Sequence, residues 1–100
     1  MMEDRQVLEA LSAVIDPEVG VNIVDLGLVH LLDSNPQRIY VGLIMTSPAC
    51  PQGEHIRDQA QDAVARRAEG MAVDIELLDY PYWSPDRMSE AARRQLGWNG

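Results

Sequence analysis

The stretch MTSPACPQGEH, Met45 to His55, carries Cys50, the only cysteine of a 100-residue chain, set between Pro48 and Pro51. Proline favours the first position of a helix, so Pro51 predicts a helix opening there with Cys50 as its N-cap. A sulfur at that point meets unpaired backbone N–H groups and the positive end of the helix dipole. Both favour the thiolate, which is the nucleophilic and metal-binding form. The competing reading is a buried thiol that packs as a small apolar side chain. Loop-like, polar flanks weigh toward the reactive reading.

Ligand arithmetic limits what such a thiol can hold. A closed zinc or iron-sulfur site uses about four protein ligands, mostly thiolates or imidazoles. The chain offers Cys50, His30, His55 and carboxylates. His55 lies five positions past Cys50, so at about 100° per residue the two do not share a helix face. His30 falls in a predicted strand and reads as an ordinary sheet residue, and His55 reads as a solvated helix residue. No permanent four-ligand centre within one chain is expected, which leaves a labile site shared with a second copy, a partner or a small thiol. The DPE triplet, Asp16 to Glu18, reads on its own as an acidic turn after a helix, and spacing does not bring it to Cys50. Asp25, within VNIVDLG, reads as the cap of a short turn. Tyr80, Tyr82, Trp83 and Trp98 crowd the last stretch, either as a flap packed on the body or as a docking surface.

The elements that must position these groups follow from periodicity. Val7, Leu8, Leu11, Val14 and Ile15 form one helical stripe, with Asp4 as cap and Pro17 as terminator. LVHLLD and RIYVGLIM predict two strands joined through SNPQ as a hairpin. Ile56, Ala60, Ala63, Val64 and Ala68 share a face of the second helix, which stops at Gly70. In AVDIELLD, Val73, Ile75 and Leu77 alternate with Asp74 and Glu76, as in a half-buried strand. A third helix is expected from about Asp86 to Leu96. The order α-β-β-α-β-α predicts an α+β two-layer sandwich, one domain over residues 1–100, with helices on one face of a small mixed sheet.

Composition narrows the partners. The formal charge is −8, and the eight cations are all arginine. That balance excludes a binder of nucleic acid backbones. No run approaches the ~18 apolar residues of a membrane span. A single cysteine with no signal-peptide pattern fits a reducing, cytoplasmic setting.

Taken in order, DPEVGVNIVDLGLV, MTSPACP and WSPDRMSEAARRQLG resemble three consecutive signatures of the SufT/PaaD-like metal-sulfur cluster assembly factors. The resemblance runs from the first helix to Gly97. It implies an α+β fold of the order above and a role in maturing iron-sulfur proteins. It further implies that the DPE and TSPACP loops meet around one pocket, with Asp16, Glu18, Thr46, Ser47 and Cys50 on the pocket motifs and Cys50 as the metal-contacting residue. Carboxylates close to the sulfur would raise the thiol pKa, and a bound cation would resolve that conflict.

The leading expectation is thus a non-enzymatic assembly or delivery factor. It would carry a labile iron-sulfur cluster or iron rather than a permanent cofactor. Its partners would be client apoproteins and other assembly proteins, with a homodimer as one way to supply a second thiolate. A PaaD-like service to one oxygenase complex is a close variant. The alternatives are a non-catalytic adaptor docking through its aromatic C-terminal segment and a thiol enzyme. The last is weakened because the peroxidase-like Ser47-x-x-Cys50 pattern lacks its upstream proline.

Overall fold

The computed structural model describes residues 2–46, 52–68 and 70–97. Helix α1 spans Asp4–Leu11, strands β1 and β2 span Val29–Ser34 and Arg38–Leu43, and α2 spans Gly53–Ala65. Strand β3 (Ala72–Leu77), a 3₁₀ turn (Pro85–Arg87) and α3 (Glu90–Gln95) follow. The α-β-β-α-β-α order and the α+β class are as the sequence predicts. β1 pairs antiparallel with β2 and β2 pairs parallel with β3, in sheet order β1-β2-β3. The parallel pair needs a crossover, which α2 provides.

Alternation along the strands sends Ile39, Val41, Leu43 and Ile75 to one face of the sheet. There they meet Val7 and Leu11 of α1 and Ile56, Ala60 and Val64 of α2 in one core. Burying such a side chain contributes about 1.5–3 kcal/mol, so this layer dominates stability.

Several boundaries differ from the sequence reading. α1 is capped by Glu3, whose N–H donates to Gln6 Oε1 at 2.8 Å, with Asp4 already inside the first turn. The helix stops at Leu11 rather than near Pro17, because the next residues are drawn into pairing with the loop that follows. Ile23 N–H donates to the Val14 carbonyl, Asp16 N–H donates to that of Val21, and Ile15 bridges Asn22. Val14 still enters the core, but Ile15 turns outward at 46% exposure.

α2 opens at Gly53 with Gln52 as N-cap, later than a start at Pro51. Ile56 N–H to the Gln52 carbonyl is a bond of that first turn, which seats Gly53 against Leu77 and Met45. The expected N-cap, Cys50, lies outside the described residues. The helix also ends at Ala65, ahead of Gly70. The predicted third helix is divided at Met88, where an extended backbone buries the methionine and lets Ser89 cap α3. Ser89 Oγ accepts from Ala92 N–H at 3.1 Å.

Residues 12–28, irregular throughout, belong to the core: Val21, Ile23, Leu26 and Leu28 are all at most 1% exposed. A buried loop must still satisfy its backbone polar groups. Asn22 does part of this, its Oδ1 accepting from Val24 N–H at 3.1 Å and Asp25 N–H at 2.9 Å. Asn22 is therefore the turn cap, and Asp25 is its partner, accepting from Asn22 Nδ2 at 2.7 Å. Among the described residues no helix is long and apolar enough to cross a membrane.

Candidate functional site

The acidic turn is built by Asp16. Its carbonyl accepts from Gly20 N–H at 2.7 Å, and its Oδ1 accepts from Glu18 N–H at 2.9 Å across Pro17. Those bonds pull the side chain inward to 1% exposure, and the buried Oδ2 has no hydrogen-bond partner among the described residues. A buried, unpaired carboxylate oxygen is costly, so a protein that keeps one forgoes stability at that point. Glu18, two residues on, is exposed.

Glu18 and Thr46 line the same cavity, of about 290 Å³, with Val19, Leu26, Trp83, Met88 and Leu96. The acidic turn and Thr46, which stands four residues before Cys50 in sequence, thus open onto one cleft. The carboxylate and hydroxyl contrast with its otherwise apolar lining. Asp16 is not among the lining residues. Ser47 and Cys50 lie outside the described residues. His30 and His55 are both exposed and away from the cleft lining. Among the described residues, no group of three or more His, Cys, Asp or Glu side chains is placed to hold a metal ion.

The apolar side of the cleft comes from the end of the chain, which sequence reasoning left open between a flap and a docking surface. It is a flap as far as Trp83, Arg87 and α3 are concerned. Trp83 Nε1 donates to the Leu26 carbonyl at 2.7 Å, and Arg87 Nε donates to that of Gly27 at 2.9 Å. Ser89 N–H reaches the Asp25 carbonyl at 2.7 Å, and Gln95 Nε2 reaches that of Gly20 at 3.1 Å. These donors satisfy carbonyls of the buried loop, and Gly27 permits the approach. It sits at φ +83°, and a Cβ there would lie 2.4 Å from the Arg87 carbonyl oxygen. Arg87 also approaches His30 Nδ1 at 3.3 Å, where β1 bulges. Trp83, Met88 and Leu96 were not predicted as cleft residues. Their apolar character beside a Pro-rich stretch was the one available signal.

Fold and cleft together define a small α+β domain with a binding cleft assembled from two loops and a C-terminal flap. The chain belongs to the iron-sulfur cluster assembly protein family, whose model matches residues 4–77. It is 35% identical over 94 residues to the Fe-S protein maturation auxiliary factor YitW of Bacillus subtilis, covering 93% of this chain and 92% of that protein. It is 36% identical over 85 residues to the Fe-S protein maturation auxiliary factor SufT of Staphylococcus aureus, covering 84% and 97%. The crystal structure of a domain of unknown function, DUF59, from Bacillus anthracis superposes with a TM-score of 0.88 at 31% identity, over 96% of this chain and 92% of that one. The family model ends before the flap, whereas the likenesses to YitW and to the DUF59 structure cover nearly the whole chain.

Proposed function

We propose that this protein is an accessory, non-catalytic factor in the maturation of iron-sulfur proteins in the cytoplasm. It receives an iron-sulfur cluster or iron as cargo, contacts it through Cys50, and passes it to client apoproteins. Glu18, Thr46 and Ser47 form the surrounding pocket, and Asp16 shapes the turn behind it. The observation that supports this reading is that Glu18 and Thr46 line one cleft, Thr46 standing four residues before Cys50 in sequence. The relatives' names, which describe auxiliary maturation factors, support the same reading.

One thiolate per chain gives incomplete coordination. Two copies would supply two thiolates, the rest coming from carboxylates, small thiols or the client. Such a site binds weakly and releases readily, which suits delivery. A second reading, an adaptor docking through its aromatic C-terminal segment, draws on Tyr80 and Tyr82, exposed at 74% and 71%.

Anaerobic reconstitution with iron(II) and sulfide, followed by absorption and native mass spectrometry, tests the proposal. The expected result is substoichiometric, labile loading that disappears in Cys50→Ser while the circular dichroism is unchanged. Full support of iron-sulfur enzyme activities in cells by the serine variant would remove the ligand role and favour the adaptor.

A further inference from the structure

The helices cover one face of the sheet, and the other face has a character of its own. Alternation places Leu31 and Asp33 of β1, Arg38, Tyr40 and Gly42 of β2, and Asp74 and Glu76 of β3 on it. Gly42 lies at its centre. A Cβ there would come within 2.7 Å of Leu78 and 3.2 Å of Leu31, so the glycine lets both leucines close over the middle strand as an apolar saddle. Around the saddle, Asp33 and Asp74 pair with Tyr40 from either side, and Glu76 accepts from the Tyr40 hydroxyl at 3.1 Å. Partial burial and that carboxylate push the Tyr40 phenol above its ordinary 10.0.

The face carries three carboxylates against one arginine. Arg5, Arg57, Arg66, Arg67, Arg93 and Arg94 pair with carboxylates of the helices and the 3₁₀ turn, and Arg87 holds the flap. Among the described residues no cation pairs with Asp33, Asp74 or Glu76. Arg38, the one arginine on the face, lies over the Tyr40 ring at 5.8 Å. Asp74 and Glu76 lie two residues apart on the same face of β3, and Asp33 lies across Tyr40 from Asp74, so the three carboxylates share one face with β2 between them.

We propose that this open sheet face docks a partner protein through a basic surface, in which arginine or lysine side chains flank an apolar residue that seats on Leu31 and Leu78. Charge decides among occupants. A second copy would set a net −2 (three carboxylates and Arg38) against the same net −2, because a two-fold contact apposes the same patch. Nucleic acids and anionic membranes are repelled for the same reason. The proposal concerns a surface separate from the cleft and holds whether or not Cys50 contacts a cluster.

The test uses the full, metal-free chain and a synthetic peptide of alternating arginine and leucine, titrated by NMR at low ionic strength. Amide shifts should cluster at Leu31, Tyr40, Gly42 and Glu76. Asp33→Asn with Asp74→Asn and Glu76→Gln should weaken binding about tenfold or more. Glu9→Gln with Asp58→Asn and Asp62→Asn, which changes net charge equally on the helical side, should weaken it less than about twofold. Equal losses in the two triple variants would reduce the effect to net charge and overturn the proposal. So would shifts confined to the cleft, or sedimentation showing that the face is taken up by a second copy.

Discussion

Asp16 is the residue where stability and purpose pull apart. One carboxylate oxygen shapes the turn through Glu18 N–H, and the other is buried with no partner among the described residues. Asp16→Asn keeps an oxygen for the turn and trades an unpaired buried carboxylate oxygen for an uncharged amide NH2, which costs less to leave unpaired. The variant should therefore be more stable by roughly 1 kcal/mol, a rise of about 4–8 °C in Tm for a domain of this size. It should also retain less iron in reconstitution. Calorimetry of the metal-free protein checks the first half. A lower Tm would show that Oδ2 is better satisfied in solution than this geometry allows.

At the scale of elements, the weak point is the contact between the 12–28 loop and the C-terminal flap. Gly27→Ala forces both a left-handed alanine and a clash with the Arg87 carbonyl, so it should cost at least about 2 kcal/mol in urea unfolding. It should also alter tryptophan emission, since Trp83 is anchored one residue away at Leu26. An unchanged urea midpoint would mean that the flap is not seated as described. The same region separates what was legible in the sequence from what was not. The strands were legible because alternation in Val73, Ile75 and Leu77 is a local signal. Val14 and Ile15 continue a helical stripe by spacing alone, and only their pairing with residues 21–23 of the next loop shows that the helix ends earlier. Asp25 reads as a cap from the sequence because it and Asn22 offer the same chemistry, and only the folded loop decides between them. Glu18 and Thr46 could be joined only through family resemblance, since no spacing rule links two loops on opposite sides of a hairpin. The apolar lining from Trp83, Met88 and Leu96 was illegible for the same reason.

For the whole molecule, a formal charge of −8, with three carboxylates against one arginine on the open sheet face, sets a salt response. Screening weakens self-repulsion beyond about 8–10 Å, while the core is indifferent to it. Raising sodium chloride from 20 to about 500 mM should lift the Tm by a few degrees, on the order of 1 kcal/mol. The triple sheet-face variant should lose most of that gain. A fall in Tm with salt would mean that the surface arginine pairs contribute more than the repulsion does.

The buried loop also sets a timetable for synthesis. The carbonyl of Leu26 is made long before its donor, because Trp83 lies 57 residues later. At translation rates of about 5–20 residues per second, that is an interval of roughly 3–11 s. During it, the loop's apolar side chains have a hairpin and a helix to lean on, but the carbonyls of Leu26, Gly27 and Gly20 have only water. The core therefore closes from the far end of the message. A ribosome stalled before codon 83 would present a nascent chain open to proteases and chaperones at residues 20–28, and the released 100-residue chain would not.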